Sequence, residues 1–181
     1  CLNLKVAPAL PATALASNCY NRMFKGCTSL TTAPELPATT LVKLCYSYMF
    51  FNCKSLTTTP ELPATKLEYA CYNYMFGGCI NLTTVSDLPA TILAESCYAD
   101  MFNGCINLTK IPKLLASELV DGCYVRMFSN CSKINSITML ATDVSASHCL
   151  YNWVEGVAAT GTFTKTSEMT SWPTGGSGIP E

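Results

Sequence analysis

Cysteine recurs in this chain at two fixed phases of a 26-residue frame, and no insertion breaks the count over six units. Numbered from Cys1, position 1 of the frame holds Cys1, Cys27, Cys53, Cys79, Cys105 and Cys131. Position 19 holds Cys19, Cys45, Cys71, Cys97, Cys123 and Cys149, which completes the twelve cysteines of the chain. A fixed period of this length restricts the chain to a repeat architecture, where each unit buries its apolar face only against its neighbours.

The punctuation within the frame predicts a helix. Position 13 is Thr13, Thr39, Thr65, Thr91, Ser117 and Asp143, all residues able to cap a helix N-terminus. Position 26 is Gly26, Asn52, Gly78, Gly104, Asn130 and Gly156, the residue types that tolerate the left-handed conformation past a helix end. Between them, positions 15, 16, 19, 20, 23 and 24 carry Leu, small aliphatics, Cys, Tyr, Met and Phe, as in CYSYMFFNC from Cys45 to Cys53. These fall on one half of a helical wheel, while positions 14, 17, 18, 21, 22 and 25 change from copy to copy.

After the helix stop, Leu30 and Ala33 with their equivalents suit a very short strand. Prolines such as Pro34, Pro37, Pro60 and Pro63 hold the next segment extended. The expectation is an α/β solenoid of about six 26-residue turns over 1–156, each a short parallel strand, a Pro-rich extended corner and a helix. In the last copy Trp153 and Val154 replace Met-Phe, and residues 157–181 read as a β-like C-terminal cap or the start of a following segment, with Phe163 and Trp172 packing near the last turn. Cys1 and Leu4 begin in register, so the reading expects further repeats or a removed segment before them.

The pattern L-P-A-T-x-L followed by C-Y-x-x-M-F-x-G-C-x-x-L resembles the BspA-like, or Treponema pallidum type, leucine-rich repeats of bacterial surface proteins. The resemblance covers residues 1 to about 156. The 26-residue length with its P-A-T corner is similar to a variant associated with gut Bacteroides-like bacteria. It implies a leucine-rich-repeat solenoid, a cell-surface or secreted location and a role in adhesion or binding. It supplies no catalytic residues.

Four readings compete for the cysteine columns. Zinc sites bring ligands together at shorter spacings or with His, and this chain has a single His. A redox C-x-x-C motif is absent. A bridge such as Cys45–Cys53 places its ends beyond disulfide reach if position 19 lies in a helix and position 1 past its cap. Pairing between adjacent turns meets the distance better, although each copy then competes for two neighbours. The favoured reading is a ladder of small hydrophobes filling inward positions, with twelve free thiols that react only after denaturation.

The remaining signals are weaker. A formal net charge of −1 with 13% charged residues gives no reason to expect nucleic acid, and no apolar stretch is long enough to insert in a membrane. The paired Thr row beginning Thr31-Thr32 reads as strand preference. The row Glu35, Glu61, Asp87 reads as a solvated edge rather than a cation site. His148 beside Cys149 invites a nucleophile pair, but helical neighbours diverge by about 100°. Nothing gathers acids, bases or a phosphate loop, so no enzyme, metal or cofactor is expected.

One patch does stand out. Leu44, Tyr48 and Phe51 lie on the half expected to face solvent, with Tyr74 near Tyr48 and Tyr69 bordering them. Exposed apolar patches mark contact surfaces. The leading expectation is a non-enzymatic binding or adhesion module that meets a host protein or glycan there. A structural spacer in a longer surface protein and a phage or immune-evasion recognition element are the alternatives.

Overall fold

A computed structural model describes residues 1–179; the last two residues of the expected C-terminal segment lie outside the described residues. We call the six frames coils 1 to 6, from 1–26 to 131–156.

The expected helix is absent. Positions 18, 22 and 26 have positive φ in all six coils, as at Leu44 (58°), Tyr48 (56°) and Asn52 (60°). A helix needs φ near −60° throughout, so a left-handed residue every four positions breaks it at each turn. The backbone instead forms a ribbon of overlapping tight turns. Within a coil, odd-position N–H groups donate three residues back, Met49 to the Tyr46 carbonyl (3.1 Å) and Phe51 to the Tyr48 carbonyl (3.1 Å). Even-position N–H groups donate to the next coil, Tyr46 to Cys71 (3.0 Å), Tyr48 to Asn73 (2.8 Å) and Phe50 to Met75 (2.9 Å). In coils 1 to 5 the backbone donors of positions 18 to 26 thereby find acceptors, the requirement for burying the ribbon.

The period explains why the pattern looks helical. Inward residues come in pairs, 19–20 then 23–24, with two outward residues between, and this repeats every four positions rather than every 3.6 or so. Over a dozen residues the two periods differ by only about 40° per turn, so an amphipathic helix and this ribbon write nearly the same sequence.

The expected strands also shrink. At most coils they are single bridged pairs, Thr58 with Thr84 and Thr84 with Lys110. Among the described residues the two strands are β1 (Ser136–Met139) and β2 (Thr162–Lys165), parallel and offset by one frame, with Ser136 opposite Thr162. A 3-10 turn at Gly175–Ser177 completes the regular structure. The α/β leucine-rich-repeat solenoid of strand, corner and helix is therefore not the fold of this chain.

The core is built in columns that follow the 26-residue offset. Tyr20, Tyr46, Tyr72, Tyr98 and Tyr124 stack with ring centroids 5.8–6.0 Å apart. Phe24, Phe50, Phe76, Phe102 and Phe128 do the same at 5.4–5.7 Å. Such offset stacks suit aromatic quadrupoles. Leu30, Leu56, Leu82 and Leu108 are wholly buried beside them. In coil 6, Trp153 takes the Met position and its indole N–H donates to the Gly178 carbonyl (2.6 Å). Phe163 meets Trp153 edge-on at 6.1 Å, and Trp172 lies 4.8 Å from Phe163.

Candidate interaction face

Most of the cysteines are shut away from solvent. All twelve are free thiols, and the expected ladder of inward small hydrophobes does not run the length of the chain, because its first members Cys1 and Cys19 face solvent. Ten are buried, while Cys1 and Cys19 are exposed, which corrects the expectation that none would react in the native state. The position-1 thiols have a partner the sequence does not reveal. Cys53 donates to the carbonyl of Phe24 (3.2 Å), Cys79 to Phe50 (3.2 Å), Cys105 to Phe76 (3.2 Å) and Cys131 to Phe102 (3.1 Å). Burial pushes the Cys45 thiol up to about 11 and those of Cys53, Cys123 and Cys131 up to about 12. Cys149 donates to the Val144 carbonyl (3.2 Å), while the His148 ring nitrogen sits 2.8 Å from the Ser147 hydroxyl. The two neighbours are engaged separately.

The acidic row Glu35, Glu61 and Asp87 is exposed. Among the described residues no group of three or more His, Cys, Asp or Glu side chains could hold a metal ion. Thr31 and Thr32 are both exposed, and the Thr31 hydroxyl donates to the Lys5 carbonyl (3.1 Å). The strand preference read from this row is not realised there, since among the described residues the strands lie at Ser136–Met139 and Thr162–Lys165.

The aromatic patch is the densest feature of the outward side. Tyr48 stacks on Tyr74 with centroids 4.7 Å apart and planes 12° from parallel. Phe51 contacts both, at 5.5 Å from Tyr48 and 5.9 Å from Tyr74. All three rings are half-buried. Gly77 creates the room, since a Cβ there would sit 3.1 Å from Phe51 Cδ2 and 3.3 Å from Tyr74 Cδ1. Leu44 is half-buried on the same ribbon. Tyr69 stands apart, 41% exposed, with the Lys43 ammonium 5.4 Å from its ring centroid.

Cations complete the patch, and the sequence reading did not include them. The Arg22 guanidinium lies 5.1 Å from the Tyr48 centroid. The Lys25 ammonium lies 5.4 Å from Tyr48 and 5.2 Å from Phe51. The signal was available: positions 17, 22 and 25 of adjacent frames hold Lys or Arg above an aromatic residue. Among the described residues no carboxylate lies within ion-pair distance of Arg22, Lys25 or Lys43.

At the other end of the same column, Asp100 is buried and receives Arg126 Nε (2.9 Å), Arg126 Nη2 (3.1 Å) and Asn103 Nδ2 (2.7 Å). Arg126 also donates to the Tyr74 hydroxyl (3.4 Å). That bond to Asp100 holds the guanidinium above its ordinary value, and burial with the nearby Asp100 charge raises the Tyr74 phenol. Position 22 thus runs as one connected column through Arg22, Tyr48, Tyr74, Asp100 and Arg126.

Comparison with known proteins adds the lineage. The family model described as BspA type leucine rich repeat region (6 copies) matches residues 16–112 and 69–153. Searches of curated proteins and of solved structures return no match. Among the described residues no helix is long and apolar enough to cross a membrane. Repeats of this family are non-catalytic, and they are associated generically with binding and with the extracellular surface. With the match spanning most of its length, the chain belongs to the BspA-type leucine-rich-repeat family.

Proposed function

We propose that this chain is a binding and adhesion module of a bacterial cell-surface protein, of the kind found in gut Bacteroides-like bacteria. It recognises a protein or glycan of the host through the outward face of its ribbons. One observation carries the reading: Tyr48, Phe51 and Tyr74 form a half-buried ring cluster overlaid by Arg22 and Lys25. Aromatic and Arg side chains are the residues that dominate binding energy at interfaces. Here they sit at positions that change from copy to copy, while the constant Cys, Tyr, Met and Phe positions of coils 2 to 5 are spent on core. Cations held over ring faces are also ordered before a partner arrives, which lowers the entropy cost of engaging it.

The test is a binding screen against extracellular-matrix proteins and a glycan array, run with the native chain and with a Tyr48→Ser, Phe51→Ser, Tyr74→Ser variant whose folding is checked by thermal melting. A hit lost in the variant supports the reading. A hit retained moves the site elsewhere, and no hit at all favours the spacer.

A further inference from the structure

The outward face changes sign along the stack. Positions 17, 22 and 25 carry Arg22, Lys25 and Lys43 in coils 1 and 2, with no carboxylate among them. In coils 4 to 6 the same positions carry Glu95, Asp100, Asp121 and Glu155 against the single cation Arg126, which is paired to Asp100. Arg22, Lys25, Lys43, Glu95, Asp121 and Glu155 are all exposed. A polyanionic glycan laid along this face would gain at one half and be repelled at the other. A partner that complements it carries both signs in the reverse order, which is the property of a protein surface.

One such surface is this face itself. We propose that the partner is a second copy of the chain, docked face to face and antiparallel. This rests on the reading of the face as a recognition surface and names its occupant. A two-fold axis lying across the stack in the plane of the face, between coils 3 and 4, reverses the order of coils and preserves the order of positions. Coil 1 then faces coil 6 and coil 2 faces coil 5, each position opposite its own equivalent. Lys43 meets Asp121 of the second copy, both at position 17, and Lys25 meets Glu155 of the second copy, both at position 25. Tyr48 meets Arg126 of the second copy at position 22. Symmetry makes each contact twice, as a closed two-fold interface requires.

Other arrangements do worse. A parallel two-fold pairs position 17 with position 25 of the same coil, setting Lys43 on Phe51 and Asp121 on Ser129 with no opposite charges matched. Sliding the antiparallel pair by one coil matches Lys43 with Glu95 but sets Arg22 against Arg126 and leaves Lys25 opposite Ser129.

Sedimentation velocity of the 181-residue chain from about 1 to 100 µM tests this, a range that spans weak to moderate protein affinities. The expected result is a monomer–dimer equilibrium that weakens with salt, since the matched charges are exposed. Lys43→Asp and Asp121→Lys should each weaken dimerisation by about tenfold or more. The two changes together in one chain should restore it, because each swapped residue meets the other across the axis. Lys25→Glu with Glu155→Lys gives an independent second swap. A chain that stays monomeric to the top of the range overturns the proposal, as does a dimer that neither double swap restores. Either failure leaves the recognition face itself to be judged separately by the ring-triple variant in the matrix and glycan screen.

Discussion

The Cys79 thiol donates to the carbonyl of Phe50, 29 residues back, at 3.2 Å. That carbonyl already accepts the Cys53 backbone N–H at 3.0 Å. From Cys53 to Cys131 the position-1 cysteines are thus a row of inward hydrogen-bond donors, each reaching the position-24 carbonyl 29 residues back while filling a tight apolar slot. Alanine would fill part of the slot but supply no donor. Serine would supply one with a stronger desolvation cost.

This arrangement makes the protein sensitive to alkali. Thiols of Cys45, Cys53, Cys71, Cys79, Cys97, Cys105, Cys123 and Cys131 are all raised, with desolvation by burial as the first cause. A raised thiol stays protonated in the native state while its unfolded counterpart ionises near pH 8.5. The stability it contributes is complete below that pH and is lost as pH rises toward the folded values, about 11 for Cys45 and about 12 for Cys53. Each thiol costs about 1.4 kcal/mol per pH unit in that window, and several act together against a total of about 5–15 kcal/mol. Urea midpoints should hold steady between pH 6 and 8 and collapse by about pH 10. Thiol titration at neutral pH should find Cys1 and Cys19 in the native protein and all twelve after denaturation.

The backbone prediction separates this fold from the helix it imitates. Ser96 has φ of +54°. In a helix interior, replacing Ser by Gly costs up to about 0.5 kcal/mol. At a left-handed position the same change relieves a steric cost of about 1–2 kcal/mol carried by any L side chain. Ser96→Gly should therefore raise the denaturation midpoint, with a gain of roughly 0.5–1 kcal/mol after unfolded-state entropy is set against it. A lowered midpoint would favour the helix.

How much of this was written in the sequence depends on which contacts the frame makes local. The 26-residue register, the inward Tyr, Met, Phe and Leu positions and the outward variable positions all follow from counting. The backbone conformation did not, because pairs of apolar residues every four positions match a helix over so short a span. Position 26, with Gly or Asn in every coil, did signal left-handed backbone, and it was read as one helix end instead of the last of three such turns. Position 22 hides the signal outright. It holds Tyr48, Tyr74 and Arg126, which stay left-handed only because hydrogen bonds to the neighbouring coils over-determine them. At the face, the nearness of Tyr74 to Tyr48 was legible from the one-frame offset, and the half-burial of Leu44, Tyr48, Phe51 and Tyr74 was not. The cations above the rings went unread because their partners lie a whole frame away.

Gly77 offers a local test of the ring cluster. Its added Cβ would press on Phe51 Cδ2 at 3.1 Å, Phe51 Cε2 at 3.3 Å and Tyr74 Cδ1 at 3.3 Å. These rings are braced by Tyr48 and Lys25, so they yield by tilting outward rather than inward. Gly77→Ala should cost about 1 kcal/mol, as overpacking does. It should also change the near-ultraviolet circular dichroism of the tyrosines. An unchanged aromatic spectrum would mean that the rings do not pack as described.

The last prediction concerns the ion pair that ends the column. Asp100 keeps 3% of its side chain exposed, while Arg126 keeps 42%. The asymmetry decides what each substitution does. Removing the guanidinium with Arg126→Ala leaves a buried carboxylate with only the neutral side chains of Asn103 and Tyr74 as partners, and the uncompensated charge should cost about 2 kcal/mol, less than the 3–5 of a wholly buried pair because water reaches the Arg side. Asp100→Asn removes the charge but keeps an acceptor for Arg126, and Asn tolerates left-handed backbone. Its cost should be about 1 kcal/mol or below. The combined Asp100→Asn, Arg126→Ala variant should be more stable than Arg126→Ala alone, since no charge remains buried without a partner. Equal stability of those two, measured by urea denaturation, would show that the carboxylate is solvated in place and that the pair contributes position rather than energy.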